Sequence, residues 1–165
     1  MLIPGELAPD FELPDQHGGH IRLSTLLPDG PVVLFFYPAA MSRGCTAESC
    51  HFRDLAQEFR ALHAIRVGIS QDDISTQQRF DQAHDLGYPL LSDHNGAVAT
   101  AYGVRRRLAP LLPLRRATFV IDPNRTIVAV IHNEMRMEAH ADHALRALQE
   151  MAQENPVNEP RRGAP

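Results

Sequence analysis

Val32-Val33-Leu34-Phe35-Phe36-Tyr37 runs directly into Pro38-Ala39-Ala40-Met41-Ser42-Arg43-Gly44-Cys45-Thr46. The first six residues are continuously apolar and rich in β-branched and aromatic side chains, which suits a central strand buried on both faces. Pro38 cannot donate to a sheet ladder and closes the strand. A helix is expected from about Ser42–Cys45 to Leu62, because Phe52, Leu55, Ala56, Phe59 and Leu62 recur at the spacing of one buried stripe. The thiol of Cys45 therefore sits at a helix start, just beyond the carboxyl end of a buried strand. Open α/β sheets bind their ligands in that region.

Working outward, Phe11-Glu12-Leu13 and Ile21-Arg22-Leu23 flank a glycine turn and predict two short strands. Arg66–Ile69 predicts a second central strand. Ser75–Leu86 predicts a helix with Ser75 as its N-cap. Pro89–Leu91 reads as a short extended piece, and Ala97–Tyr102 as a short helix closed by Gly103. Thr118–Ile121 and Ile127–Ile131 predict strands joined by a turn at Asp122-Pro123-Asn124-Arg125. Ala139–Ala152 predicts the last helix. A β–α–β half followed by a β–β–α half gives an α/β fold, a central mixed sheet flanked by helices.

The chain has 165 residues, a size suited to one domain with one substantial core. No interior linker or repeat divides it, so residues 1–153 read as the domain and 154–165 as a flexible, proline-bearing tail. The net charge of −4 offers no basic face for a nucleic acid. No apolar run approaches a membrane span, and the N-terminus carries no signal-peptide pattern. Two cysteines close together fit a reduced cytoplasmic protein better than a secreted disulfide scaffold.

A helix N-terminus presents free N–H groups and a positive dipole end, both of which favour a thiolate. A free cysteine titrates at about 8.5, and such surroundings lower that to roughly 3.5–7.5. Cys45 thus reads either as a nucleophile or as a small, inert core residue. Cys50 lies five residues on. In one regular helix the two Cα atoms would be about 8.5 Å apart, from rise and rotation. A disulfide tolerates about 7 Å, so the pair can bond only if the first turns unwind. Their spacing is not the Cys-x-x-Cys of dithiol oxidoreductases or zinc knuckles.

The segment Phe35-Phe36-Tyr37-Pro38 through Ser42, Gly44, Cys45-Thr46, Glu48, Cys50 and Phe52-Arg53-Asp54 resembles the active-site stretch of peroxiredoxins, closest to the bacterioferritin comigratory protein (PrxQ) group. Pro38, Ser42 and Cys45 satisfy the family's spacing of Pro, three residues, Thr or Ser, two residues, Cys. Ala8-Pro9-Asp10-Phe11, Val67-Gly68-Ile69-Ser70, Tyr88–Asp93, Ala101–Val104 and Arg116–Asp122 match further family motifs in order, so the likeness runs over residues 1 to about 150. The resemblance implies a thioredoxin-like fold and a thiol peroxidase acting on hydrogen peroxide and organic hydroperoxides. It implies Cys45 as the peroxidatic cysteine and Cys50 as the resolving one. It assigns Ser42 a hydroxyl toward the thiolate and the peroxide, Pro38 a shield against water, and Arg116 the positive charge. It also implies recycling by thioredoxin or a similar thiol reductant, no cofactor, no metal, and a monomer or weak homodimer. Ser42-Arg43 stands where the family usually has Thr-Pro, which removes a rotamer-fixing methyl and a stiff helix start.

Three alternatives stay open: a one-Cys peroxidase resolved by an external thiol, a non-catalytic thioredoxin-fold binding or chaperone module, and a general thiol–disulfide oxidoreductase, which the missing Cys-x-x-Cys disfavours. Arg105-Arg106-Arg107 and Arg115-Arg116 bracket the apolar stretch Leu108–Leu114, expected to cover the Cys50 side of the helix or form a dimer contact. His140 and His143 share i, i+3 spacing near Glu134, but a metal site needs three or more converging ligands. Asp72, Asp73 and Arg60 are expected at the surface.

Overall fold

Every residue of the run Val32–Phe36 is fully buried, and the reason is its place in the sheet. The computed structural model describes residues 1–106 and 114–154. In chain order these form β1 (Glu12–Pro14), β2 (His20–Arg22), α1 (Leu23–Leu26), β3 (Val32–Phe36), α2 (Arg43–Asp54), α3 (Ala56–Ala61), β4 (Ile65–Ser70), α4 (Ile74–His84), β5 (Leu90–Ser92), α5 (Ala97–Ala101), β6 (Ala117–Ile121), β7 (Ile127–His132) and α6 (Glu138–Glu154). Five strands form one sheet in the order β5-β4-β3-β6-β7. β3 pairs parallel with β4 and antiparallel with β6, so the expected mixed sheet is present with β3 at its centre. The β1–β2 hairpin stands apart as a two-stranded sheet.

Alternation along β3 divides the core in two, since successive side chains point to opposite faces. Val32, Leu34 and Phe36 pack with Leu23 of α1, Val98 and Ala99 of α5, and Phe119. Val33, Phe35 and Tyr37 pack with Cys45 and Phe52 of α2, Phe80 of α4, and Ala141, Ala144 and Leu148 of α6. Phe52 stacks on Phe35 with ring centroids 4.2 Å apart. Burying a phenylalanine of this kind contributes about 1.5–3 kcal/mol, so α2 is fastened to the sheet just beyond Cys50. Gly68 of β4 is required by this packing, because a Cβ there would lie 2.9 Å from Phe35 Cζ.

The helix expected to run unbroken to Leu62 is two helices. Leu55 leaves helical geometry, at φ −91° and ψ 21°. The Phe52 carbonyl, which would accept from Ala56 in a continuous helix, instead accepts from Arg66 Nη1 at 2.6 Å. The break keeps Phe52 and Phe59 on one face, with ring centroids 5.7 Å apart. The N-cap of α4 is Asp73 rather than Ser75: its Oδ1 accepts from Thr76 N at 2.7 Å. Leu23, expected to end a strand, opens α1. The expectations for Leu108–Leu114, apart from Leu114, and for the tail beyond Glu154 fall outside the described residues.

Candidate active site

Ser42 has extended backbone angles, φ −71° and ψ 151°, and its carbonyl accepts from Thr46 N at 2.9 Å. It is thus the N-cap of α2, and Cys45 lies in the first turn, where N–H groups lack intrahelical partners. The preceding loop is tied down from β4. Ala40 N donates to Asp72 Oδ2 at 2.7 Å, and Ser70 Oγ donates to the same oxygen at 2.7 Å. Gln77 Nε2 donates to Ser70 Oγ at 2.9 Å, extending the network into α4. Asp72, expected at the surface, is half-buried because it holds this loop. Met41 completes the turn with φ 66°, a left-handed conformation uncommon for a residue with a side chain.

Cys45 is 1% exposed. Arg116 Nη2 lies 3.3 Å from its Sγ, and Nη1 of the same guanidinium is ion-paired with Glu48 Oε2. Two features of the chain bring these groups together. Glu48 is three residues after Cys45, hence on the same helix face. Arg116 directly precedes β6, whose Ala117 pairs with Phe36, so it emerges beside the point where the chain leaves β3 for Pro38. Gly44 leaves room for the approach: a Cβ there would sit 3.4 Å from Arg116 Nη2 and 3.5 Å from Met137 Cε.

Pro38 is buried at the end of β3. Ser42 is exposed, and its hydroxyl donates to the Ala39 carbonyl at 2.9 Å. Both cysteines are free; Cys45 is buried and Cys50 half-buried. They lie in one unbroken helix, α2, so no bond between them is possible in this state. The second half of α2 is held from several sides. Tyr88 Oη donates to Ser49 O at 2.7 Å, His51 Nε2 lies 2.8 Å from Asp142 Oδ1 of α6, and Arg53 Nη1 donates to His84 O at 2.6 Å.

Behind Arg116 the structure places a group that sequence reasoning missed. Glu48 is fully buried, and burial pushes its carboxyl up to about 8, with Arg116 pulling the other way. Its Oε1 has no hydrogen-bond partner and faces His140 Nδ1 at 3.6 Å. His140 is also fully buried and is bonded to Thr118 Oγ1 at 2.9 Å and Asn133 O at 2.7 Å. His143, expected on the same helix face, is exposed instead. Among the described residues no three His, Cys, Asp or Glu side chains are grouped to hold a metal ion. Helical periodicity could have placed Glu48 on the Cys45 face of the helix; the position of His140 had no signal in the sequence.

The AhpC/TSA family model matches residues 4–130. The chain belongs to the AhpC/TSA family of peroxiredoxins. A Mycobacterium tuberculosis chain assigned to the peroxiredoxins is 57% identical over 145 residues, covering 87% of this chain and 94% of that one. Chloroplastic peroxiredoxin Q of Suaeda salsa is 40% identical over 147 residues, covering 89% of this chain and 68% of its own. Among solved structures, peroxidoxin BcpB from Mycobacterium tuberculosis superposes with a TM-score of 0.87 at 54% identity, over 92% of this chain and 99% of that one. The Xanthomonas campestris bacterioferritin comigratory protein, whose structure is described for alkyl peroxide reduction, gives a TM-score of 0.81 at 26% identity, over 92% and 98%. This peroxiredoxin has the thioredoxin-like fold and is a thiol peroxidase that draws on a thiol reductant. No helix among its described residues is long and apolar enough to cross a membrane.

Proposed function

We propose that Cys45 is the attacking thiol, that Cys50 resolves it within the same chain, and that a thioredoxin-type dithiol closes the cycle. The observation that carries the reading is the contact of Arg116 Nη2 with Cys45 Sγ at a helix N-terminus. A permanently charged donor fork there favours the thiolate and meets the charge that moves onto the leaving oxygen. The thiolate attacks one peroxide oxygen; the S–O bond forms as the O–O bond breaks. The departing oxygen takes a proton and leaves as water or an alcohol, and Cys45 becomes a sulfenic acid. The Cys50 thiol then attacks that sulfur, expelling water and forming the Cys45–Cys50 disulfide. Two electrons from the reductant dithiol restore both thiols.

Pro38, buried beside the strand end, excludes water from the sulfur in this reading. Ser42 turns its hydroxyl from the Ala39 carbonyl toward the peroxide as substrate enters. A groove of about 640 Å³, lined by Ala47, Met135, Met137, Asp142 and His143, runs beside the first turns of α2. Its methionines suit the alkyl part of an organic hydroperoxide as well as hydrogen peroxide itself. Two cysteines five residues apart, rather than a spread disulfide framework, support action in the reducing cytoplasm. No cofactor enters the cycle, and the active unit is the monomer or a weak homodimer.

Mass spectrometry after one equivalent of peroxide, with thiol trapping, tests the reading. Loss of both free thiols with a Cys45–Cys50 crosslink is expected. In Cys45→Ser, peroxidase activity should vanish while the fold survives; retained activity would falsify the assignment of Cys45. A lasting sulfenic acid, or a mixed disulfide with an added thiol, would make this a one-Cys enzyme.

A further inference from the structure

The guanidinium of Arg116 serves two acidic groups at once, the Cys45 sulfur and the Glu48 carboxyl. With both ionised, the buried cluster carries one excess negative charge, a costly arrangement out of water. With Glu48 protonated, the thiolate and Arg116 balance. A proton on Glu48 needs an acceptor, because Oε1 is buried and has no partner. The group facing it is His140 Nδ1 at 3.6 Å, longer than a hydrogen bond and closed by a movement of about 0.6 Å.

The tautomer of His140 follows from its other contact. Nε2 lies 2.7 Å from the Asn133 carbonyl, an acceptor only, so Nε2 carries the hydrogen. Nδ1 of the neutral ring is then an acceptor with a single lone pair. Thr118 Oγ1 occupies it at 2.9 Å. Thr118 and a protonated Glu48 therefore compete for one site.

We propose that His140 is a positioning residue for the Cys45 thiolate: its Nδ1 accepts a hydrogen bond from the protonated Glu48 Oε1, which keeps its proton, and the Arg116 charge is thereby left to the sulfur. When Glu48 is ionised, the Thr118 hydroxyl takes Nδ1 and Glu48 competes with Cys45 for Arg116. When Glu48 is protonated, it takes Nδ1 and the Thr118 hydroxyl turns away. The direction of both titrations is consistent with the neutral pair: burial pushes the imidazole down to about 4 and the carboxyl up to about 8. The other charged or titratable groups facing the pair are Arg116 and, from β7 and the loop after it, His132 and Glu134. Glu134 is itself paired with Arg106, and the Tyr88 phenol feels Glu48 from beside α2.

The proposal rests on Cys45 being the attacking thiol, and the test separates the two. It reads the thiolate absorbance of the reduced protein against pH, without peroxide, in a Cys50→Ser background where Cys45 is the only thiol. His140→Gln keeps an amide nitrogen for Asn133 O but removes the Nδ1 acceptor. Its profile should move to higher pH by about one unit, a tenfold loss of thiolate on the acidic limb. Thr118→Val keeps the shape of the side chain and removes the competitor, so its profile should move to lower pH. Structural damage alone would move both in the same direction. Neither shift should survive in Glu48→Gln, which presents a permanently uncharged side chain to Arg116. Shifts of equal sign, shifts that persist in Glu48→Gln, or no shift at all overturn the proposal. If His140→Gln does not fold, Thr118→Val with and without Glu48→Gln still decides it. Peroxidase activity retained in Cys45→Ser would instead overturn the role of Cys45 and leave these titrations readable.

Discussion

Arg116 and Cys45, 71 residues apart in the chain, meet at 3.3 Å between Nη2 and Sγ in the buried first turn of α2. The contact is made by the sheet. β6 lies antiparallel to β3 with Ala117 opposite Phe36, which delivers Arg116 to the strand end from which the Cys45 loop departs. The guanidinium is held in turn by Glu48, so its direction toward the sulfur is set before substrate arrives.

Replacing that charge with a neutral chain of similar length tests its part in the reaction. Arg116→Met is expected to slow peroxide reduction by about 100-fold or more, the scale seen when one donor to a developing charge is lost. It also leaves Glu48 buried without its cation, so thermal stability should fall too. Stopped-flow kinetics with hydrogen peroxide, alongside a melting curve, separates the effects. A rate within a few-fold of the parent would mean that Arg43 or Arg115 supplies the charge.

Oxidation should unwind the start of α2. Cys45 and Cys50 cannot meet within a regular helix, and Gly44 eases the change because it tolerates most backbone angles. The structure also sets where unwinding stops. Phe52 is stacked on Phe35, and the carbonyl of Phe52 is held by Arg66. Hydrogen exchange of the oxidised protein should therefore show lost protection at the amides of residues 46–54, whose acceptor carbonyls lie in the unwound turns, and retained protection from Leu55 onward, whose N–H donates to the His51 carbonyl. Unchanged protection across 46–54, with the Cys45–Cys50 bond confirmed, would sink the unwinding.

Asp72 fixes the Cys45 loop through the Ala40 N–H. Asp72→Ala removes a half-buried charge-assisted hydrogen bond, with an expected loss of roughly 1.5–3 kcal/mol in stability. Misplacing a catalytic loop is costly, so the rate should fall by about 10-fold or more. Asp72→Asn keeps an acceptor oxygen and should recover part of both. Equal losses in the two variants would show that the negative charge, not the acceptor, is what the loop requires.

The pH dependence of stability reports on Glu48. Its folded-state value of about 8 lies above the ordinary 4.5, so its contribution is complete below 4.5 and is lost as pH rises through 8. His140 works in the opposite sense: its value of about 4 lies below the ordinary 6.5, so its contribution is present above 6.5 and lost as pH falls through 4. Between 6.5 and 8 the Glu48 effect stands without the His140 one. Denaturant unfolding should show the parent losing stability relative to Glu48→Gln across that window. Parallel curves would mean that Glu48 is already ionised in the folded protein at pH 6.5.

The run Val32–Tyr37, the proline that ends it and the thiol at the next helix start were enough to place the central strand and Cys45, and the order of strands and helices around them placed the mixed sheet. Hydrophobic runs and turn residues carry that information because burial on one or both faces is a local pattern in the chain. Glu48 was within reach for the same reason, since helical periodicity puts it on the Cys45 face. The break at Leu55, the half-buried Asp72 and the Glu48–His140–Thr118 cluster were not legible. Each depends on a partner distant in sequence: Arg66 taking the Phe52 carbonyl, Asp72 holding Ala40, Thr118 and Asn133 turning His140 inward. Hydrogen bonds to buried polar groups are satisfied by whatever the packed sheet brings near, and the one-dimensional pattern does not encode that geometry. The sequence by itself determined the central strand and the helix start on which Cys45 sits. Only the tertiary structure decided which charges surround the sulfur, because it takes the β3–β6 register and the α6 packing to bring Arg116 and His140 to the same buried carboxyl.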